Sequence, residues 1–232
     1  MRAPGPGLMT RNMVVRLLVC NALVAAWLAF APGAALAADP VRIVVLGDSL
    51  VAGFNIRGSD AFPAQLEKAL KAKGHNVEVI NAGVSGDTTA AGLERLQWAV
   101  PENADAVILE LGANDALRGL DPKAARANLE KIIKAVKGQG AEVLLAGMMA
   151  PRNLGPEYVK AFDGMYPELA KAHDLLLYPF FLDGIALDPA LNLGDGLHPN
   201  PKGVAEITRR FLPMAEELIA RVRARKGAAS KG

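Results

Sequence analysis

The sequence predicts an α/β fold, a three-layer αβα sandwich in which helices cover both faces of a five-stranded parallel sheet. Short apolar runs alternate with longer helical patterns over residues 41–225, and this alternation is typical of parallel sheets with right-handed crossovers. The first run is apolar except for Arg42, which indicates a strand buried on both faces. Five strands suit the flavodoxin-like order 2-1-3-4-5, in which ligands bind at the carboxyl ends of the strands.

Five apolar runs predict the strands, because each is four to seven residues long and is bounded by turn or helix signals. The first run follows Asp39 and Pro40, and the remaining runs each follow a predicted helix. The five runs are residues 41–46, 77–80, 106–111, 141–147 and 175–181.

Five helices are predicted between and after these strands, at residues 62–73, 88–100, 122–137, 155–172 and 201–225. The third has the clearest boundaries, since Asp121 can cap it, Pro122 suits its first position and Gly138 follows it. The second is expected to stop at Pro101. The last six residues, 227–232, are expected to form a frayed tail.

Residues 1–37 are predicted to be a secretory signal peptide rather than part of the fold. Their only charges are three arginines, an apolar run follows at 17–30, and the small residues at 35–37 suit a cleavage site. The apolar run holds 14 residues, which is short for a membrane span of about 20 residues. We therefore favour cleavage near Ala37 over an uncleaved anchor, and expect an exported protein.

Cleavage would leave residues 38–232 as a single domain with a substantial core. Without the three arginines the chain keeps 23 basic and 24 acidic residues, so nothing in its charge indicates a nucleic acid or an anionic membrane surface as a partner. The single cysteine, Cys20, lies in the predicted signal. A cysteine nucleophile and a cysteine-based metal site are therefore excluded from the mature chain.

Four polar, glycine-containing segments stand at or after the predicted strand ends. They are "GDSL" after the first strand, "NAGVSGDTT" after the second, "GANDALRG" after the third and "DGLHPN" late in the chain. Carboxyl ends of parallel strands meet at one edge of a sheet, where such folds bind ligands. The pattern predicts a site at that edge.

Ser49 is predicted to be a nucleophile, and a serine hydroxyl needs an adjacent base to take its proton. Of the three histidines, His198 is the best candidate, because Asp195 precedes it by three residues and a D-x-x-H turn can bring the carboxylate beside the imidazole. Asp195 would then orient His198 and stabilise its charged form. The alternative for this segment is a surface turn that caps the last helix.

An acyl transfer also needs hydrogen-bond donors for the developing oxyanion. The backbone N–H groups of Gly83 and Ser49 and the side-chain amide of Asn114 are the predicted donors. The alternatives are a plain βα turn around Gly83 and an N-cap at Asn114 and Asp115. A metal hydrolase is disfavoured, because His198 and Asp195 are too few ligands. No cofactor and no metal are expected.

Taken together, these segments resemble the sequence blocks of the SGNH hydrolase family, also called GDSL esterases. The lettered residues of that family fall on Ser49, Gly83, Asn114 and His198, and the likeness covers nearly all of residues 41–218. It is closest to the bacterial periplasmic branch of multifunctional thioesterases, proteases, lysophospholipases and arylesterases. The resemblance implies the SGNH hydrolase fold and a serine esterase that forms an acyl-enzyme.

Two departures from the family pattern stand out. Phe54 occupies a position where an aromatic hydroxyl is common, and "GAND" replaces a double-glycine version. Neither departure is expected to touch a catalytic group. Asp48 is interpreted as structural, holding its loop by hydrogen bonds rather than acting directly.

The apolar loop residues Met148, Met149 and Leu154 are candidates for an acyl-binding pocket, since methionine packs adaptably. The alternative is that they complete the core. The resemblance implies a small-molecule acyl ester or thioester as partner, such as an aryl ester, an acyl thioester or a lysophospholipid. It also implies at most transient contact with membrane lipid, and we expect a monomer.

Two other functions remain open at this point. One is a carbohydrate O-deacetylase of the same fold, which a small acyl pocket would favour. The other is a non-catalytic flavodoxin-like binding domain. Against the second, the sequence contains neither a G-x-x-x-x-G-K-[ST] loop nor a G-x-G-x-x-G fingerprint.

Overall fold

Five parallel strands form a single sheet in the order β2-β1-β3-β4-β5, as predicted. The computed structural model describes Met1 and residues 39–229, so the predicted signal peptide lies outside the described residues. The strands are β1 (Val41–Gly47), β2 (Val77–Gly83), β3 (Ala106–Glu110), β4 (Glu142–Ala146) and β5 (Leu176–Tyr178). The register pairs Gly47 of β1 with Gly83 of β2 and with Glu110 of β3. Three strand ends are therefore level at the edge where the polar segments begin.

The helices are short directly after β1 and β3, and longer where they cover the sheet. They are α1 (Ser49–Ala52), α2 (Phe62–Ala72), α3 (Thr89–Glu94), α4 (Leu96–Ala99), α5 (Ala113–Leu117), α6 (Pro122–Gly138), α7 (Pro156–His173) and α8 (Pro201–Ala229). Two short 3₁₀ turns lie at Gly58–Asp60 and Arg152–Leu154.

The helices pack in two groups, which gives the predicted three layers. Helix α2 packs on α8, and α6 packs on α3 and on α7. Phe62 of α2 lies edge-on to Phe211 of α8 and to Phe181, with ring centroids 5.2 and 5.0 Å apart. All five residues of β3 are buried, which explains why four of the five are apolar and why Glu110 is a buried carboxyl group.

Three predicted helix boundaries differ from the structure. The helix predicted at 88–100 is divided at Arg95, whose backbone leaves helical values while its side chain turns inward to Asp87. Gly138 lies inside α6, and it is Gly140 that adopts the left-handed conformation (φ 82°) after the helix.

The third difference is the predicted frayed tail, which is helical as far as Ala229. Lys226 pairs with Asp105 at 2.7 Å, and Arg225 donates a hydrogen bond to the Asp105 carbonyl at 3.2 Å. These contacts tie the last turns of α8 to the residue before β3. Residues 230–232 lie outside the described part of the chain.

Residues 39–229 show neither a membrane-spanning helix nor a cluster of metal ligands. In this part of the chain, no helix has the length and apolar character needed to cross a membrane. Within the same residues, His, Cys, Asp and Glu side chains form no cluster of three or more that could hold a metal ion.

Candidate active site

Ser49 is the first residue of α1, immediately beyond the end of β1. Asp48 caps this helix, because its Oδ1 accepts a hydrogen bond from the Leu50 N–H at 3.0 Å. A Cβ on Gly47 would overlap Val51 and would come within 2.7 Å of Glu110 Oε2. Only glycine therefore leaves room for the abrupt change from strand to helix that presents Ser49.

The three predicted triad residues lie in one hydrogen-bonded row. His198 Nε2 is 2.9 Å from Ser49 Oγ, and His198 Nδ1 is 2.7 Å from Asp195 Oδ2. A carboxylate only accepts, so Nδ1 carries the proton and Nε2 is left to accept from the serine hydroxyl. The structure brings Ser49, His198 and Asp195 together in the order that proton transfer from the serine requires.

Asp195 is held ionised by its own turn. Hydrogen bonds from the Leu197 N–H, the His198 N–H and the His198 imidazole lower the pKa of Asp195 to about 2. The carboxylate therefore stays charged at neutral pH, and its charge keeps the Nδ1 proton in place. The alternative in which this segment serves only as a capping turn does not account for the contact with Ser49.

Asn114 lies inside the short helix α5, where Gly112 is the N-cap. The interpretation of Asn114 as an N-cap is therefore wrong. Its Nδ2 donates to Asp48 Oδ2 at 3.1 Å and to the Asp87 carbonyl at 2.9 Å. Both amide hydrogens thus face the loops after β1 and β2, and both have protein acceptors in the resting structure.

Gly83 does not offer a free donor, which corrects the prediction for this residue. Its N–H already donates to Asn81 Oδ1 at 2.9 Å, and a Cβ here would meet the backbone of Ala52. Gly83 is required because β2 and α1 approach each other closely. Its N–H would have to leave Asn81 before it could bind an oxyanion.

Gly86 is a candidate donor that the sequence interpretation missed. It lies three residues farther along the same loop, is exposed, and adopts a left-handed conformation with φ 88°. Among residues 39–229 no group accepts a hydrogen bond from the Gly86 N–H or the Ser49 N–H. The sequence signal for this donor was the second glycine of "NAGVSGDTT". In the structure it precedes Asp87, whose carbonyl accepts a hydrogen bond from Asn114.

A buried ion pair joins the first two loops of the site. Arg95 is 6% exposed, and its Nε donates to Asp87 Oδ2 at 2.5 Å while its Nη2 donates to the Gly47 carbonyl at 2.9 Å. The end of β1 and the loop after β2 are therefore held by one guanidinium. Sequence patterns did not single out Arg95, because its partners are distant along the chain.

Two buried carboxyl groups lie beneath the nucleophile. Burial raises the pKa of Asp48 to about 6, although hydrogen bonds from Leu50 and Asn114 act against it. Burial, with the nearby charge of Asp48, raises the pKa of Glu110 well above its usual range. Glu110 Oε2 accepts a long hydrogen bond from the Asp48 N–H at 3.4 Å, and its Oε1 is buried without a partner among residues 39–229. The hydrogen bonds of Asp48 confirm its interpretation as a loop-holding residue.

Phe54 contacts His198, so the expectation that this departure touches no catalytic group is wrong. The centroids of the two rings are 4.4 Å apart and their planes are inclined by 33°. No sequence pattern linked Phe54 to His198, because the contact depends on a loop conformation.

The three predicted acyl-pocket residues separate into two groups. Met148 is buried in the core, as the alternative interpretation expected. Met149 is 45% exposed, and Leu154 is half-buried at the end of the second 3₁₀ turn. Met148 therefore does not line an open pocket in this structure, whereas Met149 and Leu154 lie on the segment that follows β4.

The sequence matches the family model of the GDSL-like lipase/acylhydrolase family over residues 45–205. An arylesterase from Vibrio mimicus is 41% identical over 179 residues, which are 77% of this chain and 88% of that protein. A protein named thioesterase 1/protease 1/lysophospholipase L1, from Escherichia coli (strain K12), is 41% identical over 167 residues, 72% of this chain and 78% of its own length. The crystal structure of AlinE4, described as an SGNH-hydrolase family esterase, is 43% identical with a TM-score of 0.66, covering 77% of this chain and 96% of AlinE4.

Replacing Glu110 with Gln is expected to make folding stability less sensitive to alkaline pH. A carboxyl group whose pKa is raised in the fold binds its proton more tightly there than in the unfolded chain. The free energy of unfolding therefore falls as pH rises from the unfolded pKa, about 4.3 for Glu, through the folded one. Glutamine has nearly the same shape as glutamate but does not titrate, so the variant should not lose this stability as the pH rises.

Thermal unfolding between pH 5 and 9 measures the effect, with about 2–4 °C of Tm for each kcal/mol in a domain of this size. The Tm of the wild type should fall more steeply with pH than that of Glu110→Gln. Glu157→Gln, at an exposed position in the first turn of α7, is the control and should follow the wild type. Equal slopes for Glu110→Gln and wild type would contradict the assignment.

Proposed function

Because the chain belongs to the GDSL-like lipase/acylhydrolase family, we propose that Ser49, His198 and Asp195 form the catalytic triad of its reaction. The protein is a hydrolase of carboxylic esters and thioesters, the activity of the family and of its arylesterase and thioesterase relatives. The observation that carries the assignment of residues is the 2.9 Å distance from Ser49 Oγ to His198 Nε2, with Asp195 on the other ring nitrogen.

In the acylation step, Ser49 Oγ attacks the carbonyl carbon of the substrate as His198 Nε2 takes the hydroxyl proton. The imidazole becomes positively charged, and the ionised Asp195 stabilises it through the Nδ1 hydrogen bond. The tetrahedral intermediate then collapses. His198 gives the proton to the departing alcohol or thiol, and the acyl group remains on Ser49.

In the deacylation step, water replaces the alcohol or thiol as the group that His198 activates. The imidazole takes one proton from water, and the resulting hydroxide attacks the acyl-enzyme carbonyl. His198 then returns the proton to Ser49 Oγ as the carboxylic acid is released. Ser49 and His198 return to their starting protonation states, and no group is oxidised or reduced at any step.

The oxyanion of both intermediates is proposed to bind the N–H groups of Ser49 and Gly86 and the side chain of Asn114. The two backbone donors have no acceptor among the described residues. They can therefore bind the oxyanion without breaking a hydrogen bond within the described part of the protein. Asn114 must share a hydrogen that it already gives to Asp48 or Asp87. Donors held in place before the reaction are the ones that stabilise developing charge best.

Aryl esters, acyl thioesters and lysophospholipids are the proposed substrates, by likeness to relatives with those names. Met149 and Leu154 supply apolar surface for an acyl chain on the segment after β4. We further propose that residues 1–37 direct export and are removed near Ala37. The enzyme would then act as a monomer in the periplasm or outside the cell, with only transient contact to membrane lipid.

The Ser49→Ala variant is expected to abolish hydrolysis of p-nitrophenyl esters by the mature protein. A chain-length series from acetyl to palmitoyl is the measurement, because the rate maximum reports the size of the acyl site. Activity that peaks at medium or long chains supports the lipid-ester and thioester assignment. Activity on acetyl ester alone would indicate a carbohydrate deacetylase instead, and full activity of Ser49→Ala would contradict the proposed nucleophile.

Asn114→Ala is expected to lower kcat by about 10²–10³, the usual loss when one oxyanion donor is removed. KM should change much less, because the contact forms mainly in the transition state. Steady-state kinetics with p-nitrophenyl butyrate gives both constants, and a melting curve checks that the fold persists without the bonds to Asp48 and Asp87. Unchanged kcat would remove Asn114 from the oxyanion site.

Gly86→Ala and Gly83→Ala form a matched pair that separates an oxyanion donor from a packing glycine. Alanine strains the left-handed backbone of Gly86 but meets only Arg118, at 3.8 Å, so kcat should fall by at least about tenfold while the Tm falls by only a few degrees, less than for Gly83→Ala. At Gly83 the added methyl meets the backbone of Ala52, so the Tm should fall. The reverse pattern would restore Gly83 as the donor.

A further inference from the structure

Phe54 is the aromatic side chain that lies against the imidazole of His198, with centroids 4.4 Å apart. Phe54 is 37% exposed, so its ring is not enclosed by the hydrophobic core. An exposed phenylalanine gains little from hydrophobic burial. The contact with His198 is therefore the feature of this side chain that needs an explanation.

The backbone around Phe54 is tied to the nucleophile itself. The Phe54 N–H donates to the Ser49 carbonyl at 3.2 Å, and so does the Gly53 N–H. Gly53 (φ 82°) and Asn55 (φ 55°) on either side are both left-handed, a conformation that glycine and asparagine tolerate best. A Cβ at Gly53 would lie 2.7 Å from Ala61 Cβ, so this turn depends on the glycine.

The two hydrogen bonds of the imidazole restrain it only at its edges. Asp195 holds it at the Nδ1 edge and Ser49 meets it at Nε2, but two hydrogen bonds at opposite edges leave the ring free to tilt about the line between them. Contact on the face of the imidazole opposes that tilt. The electron-rich face of an aromatic ring also attracts a cation, and the imidazole becomes one during the reaction.

We propose that Phe54 is a positioning residue that holds the His198 imidazole in line with Ser49, an inference that rests on the proposed triad. Ser49, Phe54 and His198 form a closed triangle: a backbone hydrogen bond, a ring contact and the Ser–His hydrogen bond. Phe54 thereby couples the position of the base to the backbone of the nucleophile. Phe54 acts through His198 and takes no part in the proton transfer itself.

Phe54→Ala and Phe54→Tyr test the proposal as a pair. Misplacing a catalytic group by about 1 Å can cost 10²-fold, so Phe54→Ala is expected to lower kcat for p-nitrophenyl butyrate by about 10- to 100-fold with little change in KM. Phe54→Tyr keeps the ring and should stay close to the wild type. Both variants should melt near the wild-type temperature, because the side chain is partly exposed.

A proton NMR signal supplies a readout that does not depend on turnover. The low-field resonance of the His198 N–H that donates to Asp195 should be sharp in the wild type and in Phe54→Tyr. In Phe54→Ala it should broaden, because a tilting ring exchanges this proton with water faster.

The proposal is overturned if either readout fails to move in Phe54→Ala, or if Phe54→Tyr is as impaired as Phe54→Ala. A rise in KM alone would make Phe54 a wall of the substrate site instead, and would also overturn it. Ser49→Ala distinguishes the two levels of inference. If that variant is inactive while Phe54→Ala retains full kcat, the proposed function stands and only the role of Phe54 falls.

Discussion

The buried carboxyl group of Asp48 is the point on which the whole site depends. It accepts a hydrogen bond from the Leu50 N–H, which starts the helix that presents Ser49, and another from the side-chain amide of Asn114 in helix α5. Burial disfavours its charged form and raises its pKa to about 6. A buried polar group is tolerated when its hydrogen bonds are satisfied, and here those bonds also orient the nucleophile loop.

From Asp48 the connections pass through Asn114 to the Asp87 carbonyl, and from the Asp87 carboxylate through Arg95 back to the Gly47 carbonyl. This series of hydrogen bonds therefore ends at Gly47, the residue that precedes Asp48. Removing one partner from a buried ion pair leaves an uncompensated charge and costs several kcal/mol, about 3–5 in measured cases. These bonds tie together the loops that carry the proposed oxyanion donors before substrate binds, and stabilisation of a transition state depends on donors that are already in place.

Much of this arrangement could be predicted, and the failures have physical reasons. Strand order, Ser49 and the pairing of Asp195 with His198 follow from periodicity and from a spacing of three residues. The choice between Gly83 and Gly86 could not, because it depends on whether a local side chain, Asn81, already occupies the N–H. The contact of Phe54 with His198 depends on two left-handed residues, and residue type alone does not reveal them.

The base and its acid belong to a turn that is almost independent of the sheet. Asp195 obtains its hydrogen bonds from Leu197 and His198, within three residues of itself. An isolated antiparallel bridge between Asn192 and Pro199 closes the two ends of the turn. Hydrogen bonds within the turn are thus enough to keep Asp195 ionised. The rest of the fold has only to place the turn next to Ser49. That division explains why the acid and base could be read from a short motif, whereas the contacts that align them with the nucleophile required the structure.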